Sequence, residues 1–257
     1  MGLFGGLFDK KTCAICGGDI GLFGNRKLED GNLCKNCAAK LSPWFTERRS
    51  STVDQIREQL RYREENKAAV AAFHTTSSFG EDMKLLVDED ARKFVVTSAS
   101  NLNAANPDVL DFSQVTGVSL DIEEDQDEAK TEDKDGKSVS YTPPRYDYSY
   151  DFHIVIRVNH PYFDEIRFRL NSSNVQTTTQ PVPAVRKPNA KMRPEYAKYE
   201  TMGNEIVAIL TQARQQLREE KAAAAAPKVA KTCPACGAST VPDANGCCEY
   251  CGGAVNG

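Results

Sequence analysis

From Thr52 onward, Val53, Ile56, Leu60, Val70 and Phe73 recur at helical spacing, with polar residues between them. Thr52-Val53-Asp54-Gln55 has the form of a capping box, so the pattern predicts a helix over about residues 52–73. Its charged middle, Arg57 to Lys67, reads as a solvated face, and the apolar run is too interrupted to favour a coiled-coil dimer. Beyond Met83 the period changes. Residues 83–87 and 93–97 read as two short strands joined at Asp88-Glu89-Asp90, and 109–112 and 115–122 add β-branched extended stretches. The longest strand pair predicted is 146–158 with 166–170, turned at Asn159-His160-Pro161-Tyr162-Phe163. Phe152, Ile154, Ile156 and Val158 alternate with His153, Val155 and Arg157, so one face is buried. From Glu195 to Lys221 the helical period returns, with Tyr199, Met202, Ile206, Leu210 and Leu217 on one stripe.

These periods give an α+β chain: an antiparallel sheet capped by a C-terminal helix, flanked by two small modules. The expected divisions are a finger at 1–50, a connector helix at 51–78, a middle domain at 79–222, a linker at 223–231 and a ribbon at 232–257. A length of 257 residues suits two or three such units. No apolar stretch approaches the roughly 20 residues that span a bilayer, and the first residues lack the order of a secretory leader. The expected compartment is the cytoplasm, where reducing conditions keep thiols available to metal and disfavour an oxidised disulfide scaffold.

The small modules are defined by cysteine. Eight of the nine cysteines form four Cys-x-x-Cys pairs, Cys13/Cys16 and Cys34/Cys37 near the start, Cys233/Cys236 and Cys248/Cys251 at the end. A two-residue spacer lets one tight turn aim two thiolates at one ion, and zinc takes four ligands at tetrahedral corners. Each end is therefore expected to hold one structural zinc ion, two in all. Cys247 is the odd thiol; it could replace Cys248, but the two-residue spacer favours Cys248.

Near the start, Gly17 after Cys16 allows a knuckle, Asp30-Gly31 signals a hairpin turn, and Cys34-Lys-Asn-Cys37 runs into good helix formers before Pro43. That is the order of a treble-clef-like finger. On Lys27-Leu28-Glu29-Asp30-Gly31, Cys34, Cys37, Lys40 and Leu41, residues 12–45 resemble a family of bacterial N-terminal zinc-ribbon domains of unknown function, which implies the metal and no activity. The C-terminal module resembles the short ribbons appended to many bacterial proteins. Some 26 residues cannot bury a core, so metal must supply most of its folding free energy. The run from Phe152 to Leu170, with its strand order and closing helix, resembles the central hairpin of pleckstrin-homology or GRAM-like domains. Relatives of that fold bind lipid headgroups or peptides, so the fold does not choose between them.

Charge narrows the classes. The chain carries a formal net charge of −4, which argues against nucleic acid as the main partner. Residues 123–137, with eight acids against three lysines, read as a solvated, disordered loop that would repel an anionic membrane and lacks the ligand spacing of a calcium loop. Leu3, Phe4, Leu7 and Phe8 share one helical face ahead of Lys10 and Lys11, so residues 1–11 read as a flexible tail or as a peripheral membrane foot. His153 and His160 read as ordinary surface or turn histidines. Tyr141, Tyr146, Tyr148 and Tyr150 read as strand residues or as an exposed aromatic ladder. No HExxH, phosphate-binding GxxxxGK or GxSxG motif occurs, so no catalytic residue is assigned. The expectation is a non-enzymatic zinc-binding adaptor that docks a protein, with a nucleic-acid-binding or transcription-linked zinc protein as the alternative.

Overall fold

Residues 11–178, 187–225, 230–243 and 246–255 are described by a computed structural model, and the chain falls into two units, Met1–Arg214 and Gln215–Gly257. In the first unit, β1 (Lys11–Thr12) and β2 (Asp19–Ile20) pair antiparallel on either side of the first Cys-x-x-Cys. A second ribbon, β3 (Arg26–Lys27) with β4 (Asn32–Leu33), turns at Asp30-Gly31 as the sequence predicts, with the Leu28 N–H donating to the Gly31 carbonyl at 2.9 Å. The short helix α1 (Lys35–Ala38) follows. Leu28, Leu33 and Leu41 bury themselves with Cys13 and Cys37 against Ile56 of the next helix.

That helix, α2 (Val53–Ala72), starts with the expected capping box: the Gln55 N–H donates to Thr52 Oγ1 and the Thr52 N–H donates to Gln55 Oε1. The Val53 N–H, an otherwise orphaned helix-start donor, reaches Asp30 Oδ1 at 2.8 Å and fastens the helix to the β3–β4 turn. The expectation of a solvated middle is overturned at three positions, because Gln59, Arg63 and Asn66 share the buried face with Ile56 and Val70. Arg63 forms an ion pair with the fully buried Asp108 and donates to the carbonyls of Asn106 and Lys40. Asp108 also accepts from Ser42 Oγ at 2.8 Å, and Asn66 donates to the Pro107 carbonyl while accepting from the Val109 N–H. Paired and hydrogen-bonded charges can be buried where solitary ones cannot, and this network ties the finger, α2 and the 106–109 loop together.

After α2 the chain builds a meander sheet of β5 (Ser77–Phe79), β6 (Lys84–Asp88), β7 (Lys93–Thr97) and, beyond α3 (Leu102–Ala105), β8 (Leu110–Asp111), in the order β5-β6-β7-β8. A second antiparallel sheet is organised by β10 (Ser138–Val158). One edge of it pairs with β9 (Val115–Glu132), and the other takes β11 (Glu165–Arg169) and then β12 (Val175–Thr178). The ladder shifts register between Ser140 and Arg145, where Pro143 and Pro144 have no N–H to offer.

The acidic segment is thus a correction to the sequence reading. Residues 123–132 are strand, and only 133–137 turn. Three ion pairs offset the like charges: Arg167 holds Asp121 and Glu123, and Lys187 holds Glu124. On the face that carries Glu124, opposite to Asp121 and Glu123, Tyr148, Tyr150 and Phe152 are buried, so Tyr148 and Tyr150 are core and not an exposed ladder. Tyr150 and Phe152 meet α4 (Pro194–Ala225): Tyr196 packs edge-on against both, and Tyr199 lies tilted against Phe152. Gly203 lets the helix approach β9 so closely that a Cβ there would sit 2.6 Å from Leu120 Cδ1. The architecture is mixed α and β, with two four-stranded antiparallel sheets, a C-terminal helix and two cysteine-rich modules. Among the described residues no helix is long and apolar enough to cross a membrane. In the second unit, β13 (Lys231–Thr232) and β14 (Ser239–Thr240) pair antiparallel, and the core is Cys233, Cys248 and Val255.

Candidate metal centres

Three of the four Cys-x-x-Cys turns share one local geometry, dictated by the glycine after the second cysteine. At Cys13, Cys233 and Cys248 the Gly four residues on donates its N–H back to the cysteine carbonyl at 2.8–2.9 Å, and the cysteine N–H closes the loop onto the residue after that glycine. Gly17, Gly237 and Gly252 take φ of +71°, +73° and +68°, a region costly for any residue with a Cβ. The fourth turn has Ala38 where the others have glycine, and it continues as helix. There Cys34 is the N-cap: its sulfur accepts the Cys37 N–H at 3.4 Å, and its carbonyl accepts the Ala38 N–H at 2.9 Å. One glycine therefore separates a knuckle plus helix at the start of the chain from two knuckles at its end.

These turns bring together Cys13, Cys16, Cys34 and Cys37 in one group and Cys233, Cys236, Cys248 and Cys251 in another, each with its sulfur atoms within 4.8 Å of one another. Zinc–sulfur bonds of about 2.3 Å at tetrahedral angles require sulfur–sulfur edges of about 3.8 Å. Cys16 and Cys34 lie 3.8 Å apart, Cys233 and Cys251 3.6 Å, Cys236 and Cys248 3.7 Å. Both sets fit a tetrahedral thiophilic ion such as zinc. All nine cysteines are free of disulfides. Of the adjacent pair Cys247 and Cys248, Cys248 joins the group; the Cys247 N–H donates to Asp243 Oδ1 and its backbone bridges to Ala254.

Each group distributes charge unevenly among its thiols. Burial works to raise Cys13, but N–H groups of Cys16, Cys34 and Ile15 outweigh it and bring the thiol down to about 6. Cys37 is pushed up to about 12 by burial and by the sulfurs of Cys34, Cys16 and Cys13. In the second group the Cys236 N–H leads in lowering Cys233 to about 7. The Gly253 N–H favours the thiolate of Cys251, yet Cys236 and Cys233 together lift it to about 12. A bound divalent cation supplies the positive charge that lets four thiolates share one site.

The sequence carries a further signal of this likeness: Lys11-Thr12-Cys13-x-x-Cys16-Gly17 recurs as Lys231-Thr232-Cys233-x-x-Cys236-Gly237, and both copies are flanked by the same two-residue ribbon. The histidines stay outside both groups. His153 Nε2 lies 3.3 Å from a Glu123 carboxylate oxygen. His160 accepts the Tyr162 N–H at Nδ1, and its Nε2 meets the Tyr62 hydroxyl at 3.1 Å; burial lowers its pKa. Its ring stacks on Phe163 at 4.1 Å and forms one wall of a groove of about 850 Å³ that sequence reasoning did not find. Trp44, Phe45, Tyr162 and Phe163 supply aromatic surface there, and Glu47, Glu58, Asp164 and Glu165 supply the charge. Its single cation, Arg167, is already paired with Asp121 and Glu123.

No curated protein and no solved structure matches the chain. Residues 12–59, from the first strand through the first two turns of α2 and including all four cysteines of the first group, form a DUF4428 domain, a domain of unknown function.

Proposed function

We propose that the chain is a non-enzymatic adaptor of the cytoplasm, with two structural zinc ions holding its ends and a middle domain of the pleckstrin-homology or GRAM-like class that docks a protein partner. The observation that carries this reading is the aromatic groove with its acidic rim, between the end of the finger, the start of α2 and the β10–β11 turn. Aromatic side chains offer large contact area at low conformational cost, and the rim selects a basic segment. Two sheets closed by α4 support the assignment of the middle domain, and four-cysteine sites support structural zinc, since catalytic zinc keeps a position open.

The test is a pull-down with the full chain from a nuclease-treated native lysate, beside a variant carrying Glu58→Lys and Asp164→Lys. Both substituted residues are exposed, so the variant is expected to fold and to keep its metal. A stoichiometric protein retained by the wild type and lost by the variant is the expected result. Recovery of nucleic acid alone, or a partner held equally by both chains, would contradict the proposal.

A further inference from the structure

Gly21-Leu22-Phe23-Gly24 is a tight turn between β2 and β3, closed by the Gly24 N–H donating to the Gly21 carbonyl at 2.9 Å. Its two central side chains point into solvent. Leu22 is 81% exposed and Phe23 92%, the most exposed large apolar residues among those described, and they are neighbours. A turn of this kind is ordinarily built from polar residues, so nothing in the local backbone calls for Leu and Phe. Scattered single apolar residues on a surface need no explanation; an adjacent pair at a protruding tip does.

The surroundings indicate what covers the tip. Arg26, Lys27, Arg48 and Arg49 line a concave surface of about 710 Å³ directly behind it, with Glu29 as the only acid. Arg26 Nη1 lies 3.4 Å from the Phe23 carbonyl, so the cationic surface begins where the apolar tip ends, and Arg48 donates to the Lys27 carbonyl. None of the four cations forms an ion pair among the described residues, whereas Arg157, Arg167 and Arg169 of the second sheet each do. Burial together with Arg49 and Arg26 lowers the pKa of Arg48, so the cations crowd one another without a counter-charge. A bilayer presents this pairing in the matching order, anionic headgroups outside and hydrocarbon within. Nucleic acid would answer the cations and leave Leu22 in water.

We propose that the Leu22-Phe23 tip inserts into an anionic lipid bilayer while Arg26, Lys27, Arg48 and Arg49 hold its headgroups, which makes the finger a peripheral membrane contact. This site is distinct from residues 1–11, which read in the sequence as a flexible tail or a membrane foot and of which 1–10 lie outside the described residues, and it does not depend on the adaptor reading.

The test is co-sedimentation of the full chain with phosphatidylcholine vesicles, with and without phosphatidylserine, at low and high salt. The expected result is sedimentation only with phosphatidylserine, weakening as salt rises. Leu22→Ser with Phe23→Ser is expected to lower vesicle affinity by roughly tenfold or more, and Arg48→Gln with Arg49→Gln to remove the preference for phosphatidylserine. Unchanged metal content and circular dichroism show that each variant is folded. A companion variant with Ser at Leu3, Phe4, Leu7 and Phe8 separates the tip from the terminus. The proposal is overturned if the wild type ignores these vesicles, if the tip variant binds as tightly as the wild type, or if only the terminal variant loses binding. It is also overturned if an oligonucleotide binds in a salt-sensitive manner, indifferent to the tip substitutions, and vesicles do not.

Discussion

Glu81 shows how a single carboxylate organises the middle domain. Its oxygens accept from Lys198 Nζ, the Tyr199 hydroxyl, and the Ser172 hydroxyl and N–H, joining the β5–β6 turn to α4 and to the β11–β12 loop. These hydrogen bonds, led by Lys198, hold its pKa at about 2, below the ordinary 4.5. Because the folded value is the depressed one, the stabilisation is complete above the ordinary carboxylate range and is lost as pH falls toward 2. Glu81→Gln is expected to cost about 1–2 kcal/mol at neutral pH, less than a buried pair because the group is partly solvated. The difference in thermal midpoint between wild type and variant should shrink as pH drops below 4.5; a difference that stays constant with pH would refute the role given to this carboxylate. The metal-site cysteines were legible in the sequence because chelation leaves a two-residue spacing that can be read locally. Arg63 was not legible: its partner Asp108 lies 45 residues further on, and nothing near Arg63 distinguishes it from the solvated charges on either side.

Among the elements, those with local signals were read closely. The capping box begins α2 where predicted, and the Lys93–Thr97 strand has the predicted bounds. The acidic half of β9 was missed because its composition favours solvent, and only its pairing with β10 makes it a strand. Asp127 stands directly opposite Asp147, a repulsive pair, whereas Gln126, Glu124 and Ile122 oppose Tyr148, Tyr150 and Phe152, whose burial against α4 outweighs it. Turns carry their own constraints. Gly80, ahead of β6, has φ of +101°, and a Cβ there would fall 2.2 Å from the Met83 carbonyl oxygen. Gly80→Ala is expected to destabilise the protein by about 2 kcal/mol or more, measured by denaturant unfolding, since both the backbone conformation and the backbone contact oppose it. A midpoint within error of the wild type would show that the β5–β6 turn relaxes freely.

At the scale of the whole molecule, metal replaces core in the small modules. Among its described residues the C-terminal module has only Cys233, Cys248 and Val255 as its core, far too little apolar burial to order such a module unaided. The finger has in addition Leu28, Leu33, Leu41 and Ile56, and it is tied to α2. The organisation into cysteine-rich ends around an α and β middle was legible from composition and spacing. The aromatic groove was not, because it is made by surfaces that meet only in the fold, and the Leu22-Phe23 tip was not, because its exposure and the Arg48 and Arg49 cations near it appear only in the fold. The most direct test of the central claim is native mass spectrometry of the full chain beside two variants. One carries Ser at Cys13, Cys16, Cys34 and Cys37, the other Ser at Cys233, Cys236, Cys248 and Cys251. The account predicts two zinc ions on the wild type and one on each variant; a metal-free wild type, or one whose cysteines are oxidised to disulfides, would contradict it.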